Sequence, residues 1–160
     1  MEYISTRNNK KSYSFRDIFL KGLAPDGGLF VPKRIQPFKQ DEINGLNKLS
    51  YNELAIEIIS KFSYTEFTEN ELKEIVNISY TNFRVKDVVE LKKYKDINIL
   101  ELFHGPTLAF KDIAMQVIGN MYERILKKNN LSINIIVATS GDTGAAAISA
   151  IKNRKNMKIF

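Results

Sequence analysis

Two short stretches carry the residue types that could do chemistry. The first is Glu101-Leu102-Phe103-His104-Gly105-Pro106-Thr107-Leu108-Ala109-Phe110-Lys111-Asp112. An apolar run there enters a Gly-Pro turn, which delivers a lysine to the first turn of an amphipathic helix. The free N–H groups of a helix start carry about half a positive charge, so an ammonium placed there is opposed by roughly 0.3–1 kcal/mol. Lys111 is therefore either an exposed cation compensated by Asp112 or an amine kept uncharged for a purpose. Desolvation or nearby positive potential turns a lysine into a nucleophile, and Ala109, Phe110 and Ile113 would help exclude water.

The second stretch is Ser140-Gly141-Asp142-Thr143-Gly144. Its small residues let backbone N–H groups approach an anion, and a following helix start favours negative charge. It lacks the lysine of a Walker loop and the spacing of a dinucleotide fingerprint. A plain capped helix start, with Asp142 or Thr143 as the cap, is an equally open reading.

Much other chemistry is excluded. Zero cysteines remove disulfides, thiolate metal sites and cysteine nucleophiles, and a single histidine cannot by itself build a His-based metal cluster. No Gly-x-Ser-x-Gly elbow is present. The net charge of +6 is spread among acidic residues, with only short basic clusters at Lys10-Lys11, Lys92-Lys93-Lys95 and Lys127-Lys128, which argues against nucleic acid as a partner. No apolar run is long enough to span a bilayer, and the N-terminus has no apolar core of a signal peptide. The expectation is a cytoplasmic protein without a membrane partner.

Around these stretches the pattern predicts the following elements. A strand at Tyr3-Ile4-Ser5-Thr6 precedes a helix from Ser14 to Leu23, which Ser14 can cap and Gly22 can end. Pro25-Asp26-Gly27-Gly28 is turn chemistry before an extended Leu29-Phe30-Val31-Pro32. From Gln40 to Tyr80 the pattern is helical, with capping boxes at Ser50/Glu53 and Thr68/Glu71. One helix presents Leu54, Ala55, Ile58, Ile59 and Phe62, the next Leu72, Ile75, Val76 and Ser79.

Two strands, Val88 to Leu91 and Ile97 to Phe103, follow with a turn at Lys95-Asp96. A long helix carries Phe110, Ile113, Ala114, Val117, Ile118, Met121, Ile125 and Leu126 on its apolar face and ends at Lys127-Lys128-Asn129-Asn130. Ile133 to Ala138 reads as a strand buried on both faces, Ala145 to Ile151 as a helix, and Met157 to Phe160 as a further strand. This alternation indicates an α/β fold with parallel βαβ units. The expected organisation is an N-terminal α+β region, residues 1–87, then the start of a doubly wound parallel sheet, residues 88–160. Because the last strand leaves its unit unfinished, the chain is expected to be an N-terminal fragment.

His104 to Asp112 resembles the cofactor-lysine motif of threonine synthases, a family of fold-type-II pyridoxal-phosphate (PLP) enzymes with a tryptophan-synthase-β-like sheet. Thr139-Ser140-Gly141-Asp142-Thr143-Gly144-Ala145-Ala146 resembles that family's second signature. Tyr3 to Arg7 and Gly22 to Pro32 resemble its opening, except that Asn8-Asn9 stand where family members commonly have glycine. The resemblance implies that Lys111 forms a Schiff base with PLP and then carries protons. It implies that Ser140, Gly141, Asp142, Thr143 and Gly144 lie near the cofactor ring and the substrate carboxylate, and that Thr107 and Asp112 position Lys111. His104 either shapes the pocket or stabilises the turn, and no metal is expected.

The implied reaction converts O-phosphohomoserine and water into L-threonine and phosphate, the last step of threonine biosynthesis. Alternatives are a threonine-synthase-like phospho-lyase giving 2-oxobutyrate, or a catalytically silent fragment. In this family the glycine-rich loop for the cofactor phosphate is expected beyond Phe160.

Overall fold

The computed structural model describes residues 1–160 and divides into two compact units, Met1–Glu74 and Ile75–Phe160. The division falls inside a helix. The elements in order are β1 (Tyr3–Ser5), α1 (Phe15–Lys21), β2 (Phe30–Pro32), α2 (Gln40–Leu46), α3 (Tyr51–Ser63), α4 (Glu69–Tyr80), β3 (Glu90–Tyr94), β4 (Ile97–Glu101), α5 (Asp112–Asn129), β5 (Ile133–Ile135), α6 (Asp142–Ile151) and β6 (Met157–Ile159).

In the first unit β1 and β2 pair antiparallel, with Tyr3 opposite Pro32 and Ser5 opposite Phe30. The two N-terminal motifs interlock through this pairing. Asp26 Oδ1 accepts the Ser5 hydroxyl at 2.7 Å and the Gly28 N–H at 2.9 Å, while the Leu29 N–H donates to Thr6 Oγ1 at 2.9 Å. Capping boxes start three helices, the two expected at Ser50 and Thr68 and a third at Ser14. Ser14 with Asp17, Ser50 with Glu53 and Thr68 with Glu71 each exchange backbone and side-chain hydrogen bonds, satisfying N–H groups that the first turn leaves without helical partners. Gly22, at φ 70°, ends α1 and donates its N–H to the Ile18 carbonyl.

The core of this unit is aromatic. Phe15 packs edge-on against Tyr3 and Phe67, with ring centroids 6.2 and 5.9 Å away, and stacks on Phe19 at 5.3 Å. The expected apolar face of α3 is only partly covered, and Ile58 is 40% exposed. The helical region between Gln40 and Tyr80 resolves into three helices; α2 is a separate short one, bounded by Lys39 and Asn47.

In the second unit Ile75, Val76 and Ser79 are buried, as the spacing along α4 requires. β3 and β4 form an antiparallel hairpin, with Leu91 opposite Leu100 and Tyr94 opposite Ile97. β5 and β6 are parallel, with Ile133 opposite Met157. So β5–α6–β6 is a parallel βαβ unit, whereas β4 pairs with β3 alone. The sheets are all two-stranded, which departs from one continuous doubly wound sheet. The same fact explains why β5 is not buried on both faces. A central strand is covered only when neighbours and helices flank it, and here Asn134 is exposed and Ile136 is 84% exposed.

Val88 differs as well. Instead of opening a strand it sits at φ 65°, only 1% exposed, in a tight turn closed by the Val89 N–H donating to the Asp87 carbonyl at 2.6 Å. Positive φ is costly for a β-branched residue, and burial of the Val88 side chain holds it there.

The principal packing is between α5 and α6. Val117, Met121, Ile125 and Leu126 from α5 are buried, as are Ala146, Ala147, Ala150 and Ile151 from α6. Asn120 is buried too, donating to Ser79 Oγ at 2.9 Å and to the Gln116 carbonyl at 2.9 Å. Ser79 passes its own proton to the Ile75 carbonyl at 2.6 Å, so both polar side chains are satisfied.

Tyr3 supplies a test of the aromatic core. Its hydroxyl donates to the Phe62 carbonyl at 2.7 Å, and burial pushes the phenol pKa from 10 up to about 12. A pKa raised by folding stabilises the folded state fully below the unfolded value, and that contribution is lost as pH rises through the folded one. Stability should therefore decline between about pH 10 and pH 12. Urea unfolding across that range should show the decline in the wild type and a shallower one in Tyr3→Phe.

Candidate active site

Lys111 stands immediately before α5 as its N-cap residue, with φ −64° and ψ −22°, rather than inside the first turn. Its neighbour Asp112 is fully buried and does not pair with it. The Asp112 carboxylate is instead held by Thr107, whose N–H donates to Oδ2 at 2.7 Å and whose hydroxyl donates to Oδ1 at 2.8 Å. Both oxygens are satisfied, and the negative charge lies at the positive end of α5. Of the two readings of Lys111, compensation by Asp112 is thus set aside. The ammonium position is half-buried, and its contact is the Phe110 ring, 4.3 Å from Nζ to centroid.

The turn between β4 and α5 is shaped around Asp112. A Cβ on Gly105 would lie 2.4 Å from Asp112 Cβ and 2.5 Å from Oδ2, so only glycine lets the turn close over the carboxylate. Leu108 takes φ 64°, with its N–H donating to the Gly105 carbonyl at 3.2 Å. This places a left-handed residue inside the turn that leads to Lys111, a kind of strain that concentrates at functional sites.

His104 anchors the other end of the turn. Its carbonyl accepts the Arg84 N–H at 2.9 Å, and its Nε2 lies 3.0 Å from Glu101 Oε2, a contact in which the ring N–H donates. Glu90 Oε2 is 3.9 Å from the same nitrogen. Glu90, Glu101 and His104 thus bring three ligand-type atoms within 4.8 Å of one another. Lys92, however, sits 2.6 Å from Glu90, and its hydrogen bond holds that carboxyl below the usual range. The cluster is therefore already internally paired, and it ties His104 to the hairpin base. Of the two readings of His104, the structure favours turn stabilisation.

The 140–144 loop is exposed, apart from the half-buried Thr143 and Gly144. α6 begins at Asp142, three residues earlier than the apolar spacing suggests. Neither Asp142 nor Thr143 caps it. Gly141 is the N-cap residue and makes no side-chain cap; the acceptor is the Thr139 hydroxyl, which takes the N–H groups of Gly141 at 3.2 Å and Gly144 at 3.0 Å.

No hydrogen bond or ion pair joins Lys111 to this loop, but the helix packing relates them. Gln116 meets Ser149, Gly119 lies against Ala150, and Glu123 is ion-paired with Arg154. These pairs advance together along the chain, so α5 and α6 run in the same direction. Their N-terminal ends, one bearing Lys111 and the other the 140–144 loop, lie at the same end of the helix pair. A cavity of about 840 Å³, lined by residues such as Ile35, Phe38, Ile58 and Phe62, lies in the first unit and contains none of the candidate residues.

The chain is similar to known proteins over its whole length. The family described as threonine synthase N terminus matches residues 2–80. Threonine synthase of Schizosaccharomyces pombe is 40% identical over 170 residues, spanning 100% of this chain and 33% of the relative. The crystal structure of PLP-bound threonine synthase from Brucella melitensis superposes with a TM-score of 0.94 at 40% identity, covering 100% of this chain and 35% of that one. Along its whole length the chain matches the threonine synthases. It spans about a third of the length of the relatives it matches, and corresponds to their N-terminal portion. A further relative, threonine synthase-like 2 of Xenopus laevis, is 37% identical over all of this chain and 34% of its own length. No helix is long and apolar enough to cross a membrane.

Gly105 and Thr139 are the site residues that spacing alone underrated. A threonine five residues before a helix-start aspartate, with glycine two residues earlier still, is the local signal for the Asp112 lock. The lock predicts that Gly105→Ala destabilises the chain by about 1–3 kcal/mol through overpacking, and that Thr107→Val costs about 1–3 kcal/mol by leaving a buried carboxylate oxygen unsatisfied. Thr107→Ser should recover most of the second loss. Urea midpoints of the three variants, with unchanged m-values, measure this.

Proposed function

We propose that this chain is the lysine-bearing part of a PLP-dependent threonine synthase, acting on O-phosphohomoserine to give L-threonine and phosphate. The observation that carries the reading is Lys111, a half-buried amine whose acidic neighbour is fully engaged by Thr107. A lysine left without a carboxylate partner at a helix start suits condensation with an aldehyde better than structural ion pairing.

The residues present fit the cofactor by the chemistry of their donors. Lys111 offers the amine for its carbonyl carbon, and the start of α6 offers backbone N–H groups to an anionic ligand. When bound, PLP supplies an electron sink that lets a proton leave the carbon bearing the substrate amino group. Lys111 Nζ then takes and returns that proton, a task that requires its neutral form. Thr107 and Asp112 fix the backbone from which Lys111 projects, and His104, tied to Glu101, holds the entry to the turn. Ser140 to Gly144 receive the substrate carboxylate beside the cofactor ring. Loss of phosphate from the γ carbon and addition of water at the β carbon complete the proposed conversion.

A lyase outcome, in which phosphate leaves without water addition, is the second reading. Product analysis of the natural full-length polypeptide with O-phosphohomoserine distinguishes the two: L-threonine supports the synthase, and 2-oxobutyrate without threonine supports the lyase.

The lysine assignment is tested by borohydride reduction of the PLP-loaded polypeptide followed by peptide mapping. Label is expected on Lys111 and absent from Lys111→Ala, with turnover reduced by roughly 10²–10⁴-fold or more. Label on another lysine, or on none, overturns it.

A further inference from the structure

We propose that the cavity of the first unit is a binding site for an amphipathic organic anion, an aromatic or alkyl body bearing a single carboxylate or sulfonate. The spacing along α3 requires a buried apolar face, yet part of that face looks into a cavity of about 840 Å³. Ile58 and Phe62, one helical turn apart, line it from α3, and Ile35 and Phe38 line it from the segment between β2 and α2. The walls therefore come from two elements, and the volume lies in the roughly 300–1,000 Å³ range of small-molecule sites. Ile35 and Ile58 are exposed to solvent, so an apolar body seated between the walls would remove their surface from water.

The charges around the cavity select the sign of the ligand. Lys33, Arg34 and Lys61 line it, against the single acid Glu2. Glu2 is already engaged, by Lys33 at 2.9 Å and by the Ser12 hydroxyl at 3.3 Å. Arg34 and Lys61 have no carboxylate within ion-pair distance. Lys61 instead places Nζ 3.6 Å from the centroid of Phe38, a ring of the cavity wall, so its ammonium is held beside the apolar surface. The last turn of α3 favours a cation at this position, but does not account for its seat over that ring. An anionic head that accepts from Lys61, on a body that covers Ile58 and Phe62, uses both kinds of wall at once. A neutral body would leave the cations without a partner, and a cationic one would be repelled.

The test uses the natural full-length polypeptide and two probes that share one ring system, anilinonaphthalene sulfonate, an anion, and phenylnaphthylamine, which lacks the sulfonate. Fluorescence titration reads the affinity for each, and urea midpoints with unchanged m-values show that the variants are folded. The wild type should bind the sulfonate at one site, about tenfold more tightly than the neutral probe. Lys61→Gln should remove that difference, weakening the sulfonate about tenfold and leaving the neutral probe within about twofold. Ile35→Glu changes an exposed residue of the other wall and so keeps the fold; it should weaken the sulfonate by about tenfold or more. Lys48→Gln, which removes the same charge from a residue that does not line the cavity, should leave both affinities unchanged.

The proposal is overturned if the wild type binds neither probe, because the cavity walls are then covered by protein. Equal affinity for the two probes removes the anion assignment, and the proposal with it. It is also overturned if either Lys61→Gln or Ile35→Glu binds the sulfonate as the wild type does, since the probe then sits elsewhere, or if Lys48→Gln weakens the sulfonate as much as Lys61→Gln, since overall charge is then the cause.

Discussion

The burial of Asp112 is the constraint from which the rest of the candidate site follows. A carboxylate removed from water is strongly destabilising unless its oxygens are hydrogen-bonded and its charge is compensated. Here the N–H and hydroxyl of Thr107 satisfy both oxygens, and the positive end of α5 meets the charge. That arrangement requires the turn to approach closely enough that Gly105 has no space for a side chain, and it carries Leu108 into positive φ. It also decides the surroundings of the next residue. With Asp112 turned inward toward Thr107, Lys111 is left with the Phe110 ring as its contact rather than a carboxylate.

The second dependency is the pairing of α5 with α6. Fully burying a side chain such as Ile125 or Leu126 contributes about 1.5–3 kcal/mol, and both are completely covered. Ala146, Ala147 and Ala150 are small enough for the helices to approach closely, and the Ala150 carbonyl lies where a Cβ on residue 119 would be. The Asn120–Ser79 hydrogen bond connects α5 to the final turn of α4, a polar contact that fixes orientation because either group left alone would be a buried unsatisfied donor or acceptor. Rigid packing of this kind is what lets two loops, with no bond between them, keep a fixed relation at one end of the helix pair.

Features set by neighbours in sequence were legible from it, and features set by competition between partners were not. The capping boxes at Ser50 and Thr68, the Gly22 terminator and the apolar faces of α4 and α5 depend on residues three or four apart, which is the reach of helix periodicity. The start of α5 was legible to within a residue for the same reason. The partner of Asp112 was not. Adjacency suggested Lys111, but a side chain one residue away at a helix start points along a different direction, whereas the Thr107 turn folds back onto it. The α6 cap failed similarly, since Asp142 and Thr143 have capping chemistry and Thr139 has the geometry. Val88 reads as a strand residue by type, and only its burial reveals why it tolerates a turn. The exposed faces of β5 could not be foreseen from an apolar run, because coverage of a strand depends on the elements beside it.

The convergence of two helix starts gives the site an electrostatic character that neither loop has alone. Each start contributes about half a positive charge, and packing α5 and α6 in the same direction adds these at one end. Negative charge is favoured at that end of the helix pair. The Asp112 carboxylate partly cancels the α5 contribution, but it is buried on the Thr107 side and has both oxygens engaged. The start of α6 has no buried acid; Asp142 is exposed and the cap is a neutral hydroxyl. The two ends are thus specialised. The α5 start has its charge balanced inside the turn by Asp112, whereas the only acid at the α6 start, Asp142, faces solvent.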